Sequence, residues 1–400
     1  MLTRRLALLS AVCITLSQQA LWAVTYQVGP TRANKTLGAV VPTLKAGDTV
    51  AIDPGTYRET ARLTADGSLN APITIRGVGA ERPVFDAMGL DTSGRGPIPR
   101  GVFQIQGAYY RIEHLEFKNA RNGENAAGIR LLHSTNVVIR DCKISQCDMG
   151  VFGDDRETAA IEGCDVCFNS TREHNGYAHN FYMAGNRVAV RYCVIHDCPF
   201  GQNFKSRAHF NVLAYNRIWG SNEGEVGIVD AKGDTDRPNS NSLLVGNTII
   251  SKAGRTGNTW KFVLFGSESG STHNGTLYAY NNTFIAADPR IRFITLADPL
   301  AGATVQYNIF VGSRQIVWQM KPAVSCQGVG NWLPTNAVIP AGWTDTAAGP
   351  DPGFTDPAKG DYTLKSTSLM PRPGPGGLAY TDGDGARHTI RAGASSADAR

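Results

Sequence analysis

Long hydrophobic runs are missing from nearly all of this sequence. After position 24 no uninterrupted apolar stretch approaches a membrane span, so a soluble chain without membrane contact is expected. Charge of one sign is scarce as well: the formal balance is +5, and +3 once Arg4 and Arg5 are set aside. That surplus is too small to suggest nucleic acid or a membrane surface as partner, so any attraction for an acidic ligand must be local. Phosphate-cradling loops, a nucleophilic serine elbow and zinc-ligand spacings are lacking, and no metal site is assigned. Of eight cysteines, Cys13 falls in the N-terminal segment, and the odd remainder of seven argues against a complete disulfide framework.

What is present is apolar material for a folded core, at 42% hydrophobic residues. Residues 1–23 read as an export signal: Arg4 and Arg5, the apolar LALLSAVCITL, then a cleavage site near Ala23. The expected location is therefore secreted or periplasmic, with the mature chain beginning near Val24.

The rest is organised by a repeat. HLEF (114–117), DCKI (141–144), GCDV (163–166), YCVI (192–195), YNRI (215–218), GNTI (246–249), NNTF (281–284) and YNIF (307–310) align as one motif. The second column begins with Leu115, runs through Cys142, Cys164 and Cys193, and continues as Asn216, Asn247, Asn282 and Asn308; the fourth is always apolar. Successive intervals are 27, 22, 29, 23, 31, 35 and 26 residues, a solenoid period with variable loops. Each repeat alternates apolar and polar residues and lacks an amphipathic helix, so a coil should be short strands stacked about 4.8 Å apart. This predicts an all-β, single-stranded parallel β-helix over 24–335, opening with LKAGDTVAIDPGTYRE (44–59) and APITIRG (71–77). The asparagine and cysteine columns then serve the ladder, with Cys164 and Cys193 near enough to bridge or to stack as thiols, and Cys164-x-x-Cys167 is read as part of that column. From 336 the chain turns Pro/Gly-rich, with a last strand near 360–365 and a disordered tail after about 373. A single solenoid of this kind is expected to be a monomer.

AGDTVAIDPGTY, APITIRG and FKSRAHFNVLAYNRI resemble the right-handed β-helix polysaccharide lyases that include chondroitinase B and the alginate lyases. The KSRA stretch also resembles a group of exported bacterial β-helix proteins. The resemblance implies a right-handed, pectate-lyase-like helix and a lysine base at Lys205. Where that family has an arginine one coil later, GIVDAKGD offers Asp230 and Lys232, and acidic calcium ligands before the lysine are replaced by Cys198–Gln202.

Aligning GIRL (128–131), GVFG (150–153), NFYM (180–183), NFKS (203–206), GIVD (227–230) and FVLF (262–265) points Ile129, Val151, Phe181, Phe204, Ile228 and Val263 inward. Arg130, Tyr182 and Lys205 then face outward, with Asn180, Asn203 and Arg207 assigned to the same face. Such a cluster suits β-elimination on an acidic, uronic-acid-containing polysaccharide: a base for the C5 proton, neutralisation of the carboxylate, and an acid for O4. Lys205 is the base, its proton affinity lowered by Arg207 and Arg130; Arg207 with Asn180 or Asn203 holds the carboxylate; Tyr182 or His209 is the acid; Lys232 is a reserve cation. His179 and His196 are further candidates. Glu225 and Asp230, with Glu223, Asp234 and Asp236, raise the alternative of a glycoside hydrolase. A C5-epimerase, which removes the same proton without elimination, and a non-catalytic glycan-binding protein with exposed Trp219, Trp260 and Tyr182 as stacking platforms are the further alternatives. No cofactor is certain, and GDTDRPNSN (233–241) supplies oxygen ligands for a calcium option only.

Overall fold

The computed structural model describes residues 23–154, 158–255, 260–320, 325–368, 370 and 377–390; the stretch expected to be an export signal lies outside them except for Ala23. One coil shows how the chain is laid. Val137–Arg140 lies in a first sheet, a corner at Asp141 and Cys142 turns the chain, Lys143–Ser145 enters a second sheet, and Met149–Gly153 a third. Thr158–Glu162 then returns to the first sheet one rung further on, paired in parallel with Val137–Arg140. Repetition gives three sheets of 13, 12 and 10 strands. No helix among the described residues is long and apolar enough to cross a membrane.

Inside, residues of like position stack: Ile144, Val166, Ile195, Ile218, Ile249, Phe284 and Phe310 fill the second-sheet side, and Val151, Phe181, Phe204 and Val226 the third. The corner between the first and second sheets needs one left-handed residue per coil, as at Asp141 (φ 49°), Tyr192 (φ 55°), Tyr215 (φ 57°) and Asn281 (φ 54°). Non-glycine residues adopt that conformation only when neighbouring interactions over-determine it. Here the next residue supplies them: after Tyr215, the Asn216 amide donates to Val190 O at 2.9 Å and to Asn247 Oδ1 at 3.0 Å, and Asn247, which follows Gly246 (φ 64°), repeats the pattern. Asn247 Oδ1 accepts from the Asn216 backbone N–H at 2.9 Å, while its amide donates to Leu213 O at 2.8 Å and to Asn282 Oδ1 at 2.9 Å. The column runs one coil beyond the sequence alignment, to Asn331. In the earlier coils Cys142, Cys164 and Cys193 fill it as free thiols; Cys193 Sγ accepts from the Cys164 N–H at 3.4 Å without bridging to it.

Asn247→Ala should therefore destabilise the protein by roughly 3–5 kcal/mol, since a buried N–H and a buried carbonyl lose their partners together. Asn247→Cys, which reproduces the column's own alternative, should cost clearly less. Urea midpoints of the two variants check this; equal losses would mean that the ladder is not what holds the corner.

The C-terminal segment departs from expectation. Strands Trp343–Thr344 and Ala347–Gly349 extend the first and second sheets beyond 335. Asp361–Leu364 is a strand, but it pairs antiparallel with Phe354–Asp356 and not with the solenoid. The disordered tail expected after 373 is corrected over 378–390, where Leu378–Thr381 and Arg387–Ile390 form a hairpin. Its Leu378 and Tyr380 pack on Phe210, Val212 and Leu243, because this stretch of the first sheet's outer face is apolar and needs a cover. Tyr280 Oη donates to Ala379 O at 2.6 Å and clips the hairpin down.

Candidate functional site

The third sheet carries one outward-facing column. Its register runs Arg130, Phe152, Tyr182, Lys205, Gly227, Leu264. Lys205 therefore pairs with Gly227 and not with Val229; the aligned segment 227–230 is shifted by two residues, a slip that preserves the inward parity of Ile228. The glycine leaves room beside Lys205 for the Gln202 side chain, which a Cβ at 227 would meet at 2.7 Å.

Lys205 is only 6% exposed, so it is not a solubilising surface lysine. Its Nζ lies 2.6 Å from Glu268 Oε2 and 5.9 Å from the centre of the Tyr182 ring. Arg207 Nη2 reaches the same Glu268 oxygen at 3.3 Å, and its Nε donates to Tyr182 Oη at 2.9 Å. Glu268 thus bridges the two cations and screens them from each other. Tyr182 Oη accepts from Arg207, which leaves its own O–H to point elsewhere.

Glu268 escaped the sequence reading. It lies two residues beyond strand Lys261–Gly266, two coils above Lys205, in GSESGST, where only the position just past a third-sheet strand, shared with SRA after NFK, could have signalled it. Asp230 builds its loop. That carboxylate is buried and accepts the N–H groups of Glu268, Ser269 (2.8 Å) and Ser271 (2.7 Å). Burial alone would raise the Asp230 carboxyl, but these donors together hold it below its ordinary value. Asp230 is therefore a support for the loop and not a substrate contact.

Four other assignments are corrected. Asn180 and Asn203 point inward, forming a second ladder: Asn180 Nδ2 donates to Asn203 Oδ1 at 2.8 Å, and Asn203 Nδ2 to Glu225 Oε2 at 2.6 Å. Strand parity does not extend through the corner that precedes Phe181 and Phe204. Glu225 ends that ladder, fully buried against Arg255 at 2.7 Å, and cannot meet a sugar; this removes it from a hydrolytic pair. His209 has Nε2 at 2.9 Å from Gly383 O and Nδ1 at 3.1 Å from Asp234 O, so it tethers the C-terminal hairpin. Arg130 is three rungs from Lys205, paired with Asp154 at 3.2 Å and placed over the Phe152 ring, which stacks on Tyr182 at 5.4 Å. Lys232 is exposed in the turn after Asp230. In the 233–241 segment, Asp236 accepts the Gly233 N–H at 3.0 Å and Asp234 pairs with Arg237, a self-closed turn.

His179 sits buried behind the cluster. Its Nδ1 accepts the Gln202 N–H at 3.0 Å, so a neutral ring carries its proton on Nε2, an atom without a hydrogen-bond partner among the described residues. Burial first, then Lys205 and Arg207, hold His179 far below the usual imidazole range, and its ring meets Tyr182 edge-on at 5.3 Å.

A family model described as "right handed beta helix region" matches residues 127–288. No curated protein matches the chain. Among solved structures, an alginate lyase from Paenibacillus sp. str. FPU-7 aligns with a TM-score of 0.51 at 16% identity, over 76% of this chain and 97% of that one. A pectate lyase gives 0.51 at 14% identity, over 87% and 88%. A glycoside hydrolase gives 0.59 at 9% identity, over 86% and 99%. At such identities the likeness is one of fold, and the fold serves lyases and hydrolases alike. The stacked sheets, the family match and the fold of these neighbours agree: the chain folds as a right-handed parallel β-helix.

Proposed function

We propose that the protein is an exported enzyme that cleaves a uronic-acid-containing polysaccharide by β-elimination, with Lys205 as base. The observation that carries this reading is the convergence of Lys205 and Arg207 on a single carboxylate, that of Glu268, with the Tyr182 hydroxyl held beside them by Arg207. A uronate carboxylate entering this face would take the place of Glu268 against Arg207, with its C5 proton towards Lys205. Arg207 then neutralises it, making the C5 proton removable. Lys205, as the amine, takes that proton; the electron pair forms the C4–C5 double bond as the C4–O4 bond breaks, and the Tyr182 hydroxyl protonates O4. Exchange with solvent returns both groups to their starting states. The stacked Phe152 and Tyr182 rings supply a platform for a neighbouring sugar along the helix axis.

The test is ultraviolet absorbance of unsaturated uronide while the mature protein is incubated with alginate, pectate, glycosaminoglycans and bacterial exopolysaccharides. Rising absorbance supports elimination. New reducing ends without absorbance would instead indicate hydrolysis. C5 inversion without cleavage would indicate the epimerase, which shares the proton abstraction but not the departure of O4.

A further inference from the structure

The outer face of the second sheet gathers a cysteine, a histidine and two aspartates away from the Lys205 cluster. Asp165 and Cys167 are alternate residues of strand Asp165–Cys167, with Val166 between them turned into the core. His196 stands directly across from Cys167 on the next rung. One ligand atom from each of Asp165, Cys167 and His196 lies within 4.8 Å of the others. Unlike Cys142, Cys164 and Cys193, Cys167 takes no place in the corner ladder, and its thiol contacts both the Asp165 carboxylate and the His196 ring.

The arrangement around His196 is that of a metal ligand. Its Nδ1 lies 2.7 Å from Asp197 Oδ2, a carboxylate aimed back at the ring because Asp197 adopts a left-handed corner conformation (φ 50°). A carboxylate on one imidazole nitrogen fixes the tautomer and leaves the other nitrogen as ligand. The ring is also clamped, stacked on Trp219 at 4.5 Å and met edge-on by Phe168 at 5.6 Å. His196 Nε2 and Asp165 Oδ1 are 3.2 Å apart. That spacing fits two ligands of one tetrahedral ion with bonds of about 2.0–2.1 Å, for which the edge is about 3.3 Å. Asp165 Oδ1 is buried and makes no hydrogen bond among the described residues.

We propose that Asp165, Cys167 and His196 form a zinc site, with Asp197 holding His196. One thiolate, one imidazole and one carboxylate suit a borderline-soft divalent ion, and the two anionic ligands balance its charge. The fourth position opens onto a depression of about 330 Å³ bordered by Lys118, Lys143 and Gln146, so water completes the tetrahedron. Neither CxxC nor any other zinc spacing betrays the site, because Cys164 faces inward and the histidine comes from the following coil.

Titration of the purified full chain with Co²⁺, followed by Zn²⁺, tests this. The native protein should bind one Co²⁺ with visible bands of tetrahedral intensity and a near-ultraviolet thiolate-to-cobalt band, and one equivalent of Zn²⁺ should abolish both. Cys167→Ser should remove the thiolate band. Asp197→Asn should weaken binding by about 10–100-fold while leaving the band in place at saturation. Asp165→Asn, which retains shape, should also weaken binding, and far-ultraviolet circular dichroism of the metal-free variants separates lost ligation from lost fold. A native spectrum without the thiolate band, or a band that survives in Cys167→Ser, overturns the proposal.

Discussion

Lys205→Arg should lower unsaturated-uronide release by about 10²–10⁴-fold, the usual contribution of a positioned acid or base. Arginine preserves the cation opposite Glu268 and at the mouth of the site, but it does not deprotonate and so cannot accept the C5 proton. Because charge and bulk are retained, KM for the polymer should change little while kcat collapses. Lys205→Met would also remove the cation, and should raise KM as well. If Lys205→Arg retained substantial activity, the lysine would be binding substrate, and the base would have to be sought elsewhere, first at Glu268. Tyr182→Phe provides the complementary measurement: it keeps the stacked ring on Phe152 and removes only the donor for O4.

Arg255→Met should cost roughly 3–5 kcal/mol of stability, the usual loss when one partner of a buried ion pair is removed. The Arg255 side chain is 1% exposed and Glu225 is fully buried, so among the described residues the carboxylate left behind would keep only Asn203 and the Ser221 N–H. Burial pushes the Glu225 carboxyl up to about 6, against the opposing pull of Arg255, Asn203 and Ser221. Since this folded value lies above the unfolded one of about 4.3, the stabilisation from protonated Glu225 is present below that unfolded value and is lost as pH rises through 6. Removing Arg255 raises the carboxyl further. The deficit of the variant should therefore be largest at pH 7 and shrink towards pH 4.5, and Glu225→Gln in the Arg255→Met background should recover much of it. Urea denaturation of the three proteins at both pH values decides. A deficit independent of pH would place the cost in packing and not in the charge.

The two ladders show where sequence reasoning reaches and where it stops. The column from Cys142 to Asn308 was legible because each coil repeats the same corner, and a repeated backbone demand is met by only two side chains, cysteine and then asparagine. Asn180 and Asn203 belong to an equally regular column, yet strand alternation assigned them outward. The rule of two holds only along extended backbone, and both residues sit at a corner one step before their strands begin. Tyr182 beside Lys205 followed from the same alternation within strands, where it applies. Gly227 did not, because the loop before it sets the register and loop length is invisible to a period of two.

By itself, then, the sequence determined the coil: a repeating apolar pattern and a repeating corner residue leave little choice but stacked parallel strands. It also determined the face that carries Lys205 and Tyr182. Tertiary structure alone decided what meets those residues. Glu268 arrives from 63 positions downstream on a loop held by buried Asp230, His209 is drawn away by a hairpin 174 residues distant, and His196 is delivered to Cys167 by the stacking of successive coils. The physical reason is common to all three. A solenoid converts large separations in sequence into steps of about 4.8 Å along its axis, and no local pattern records which loop will close over which rung.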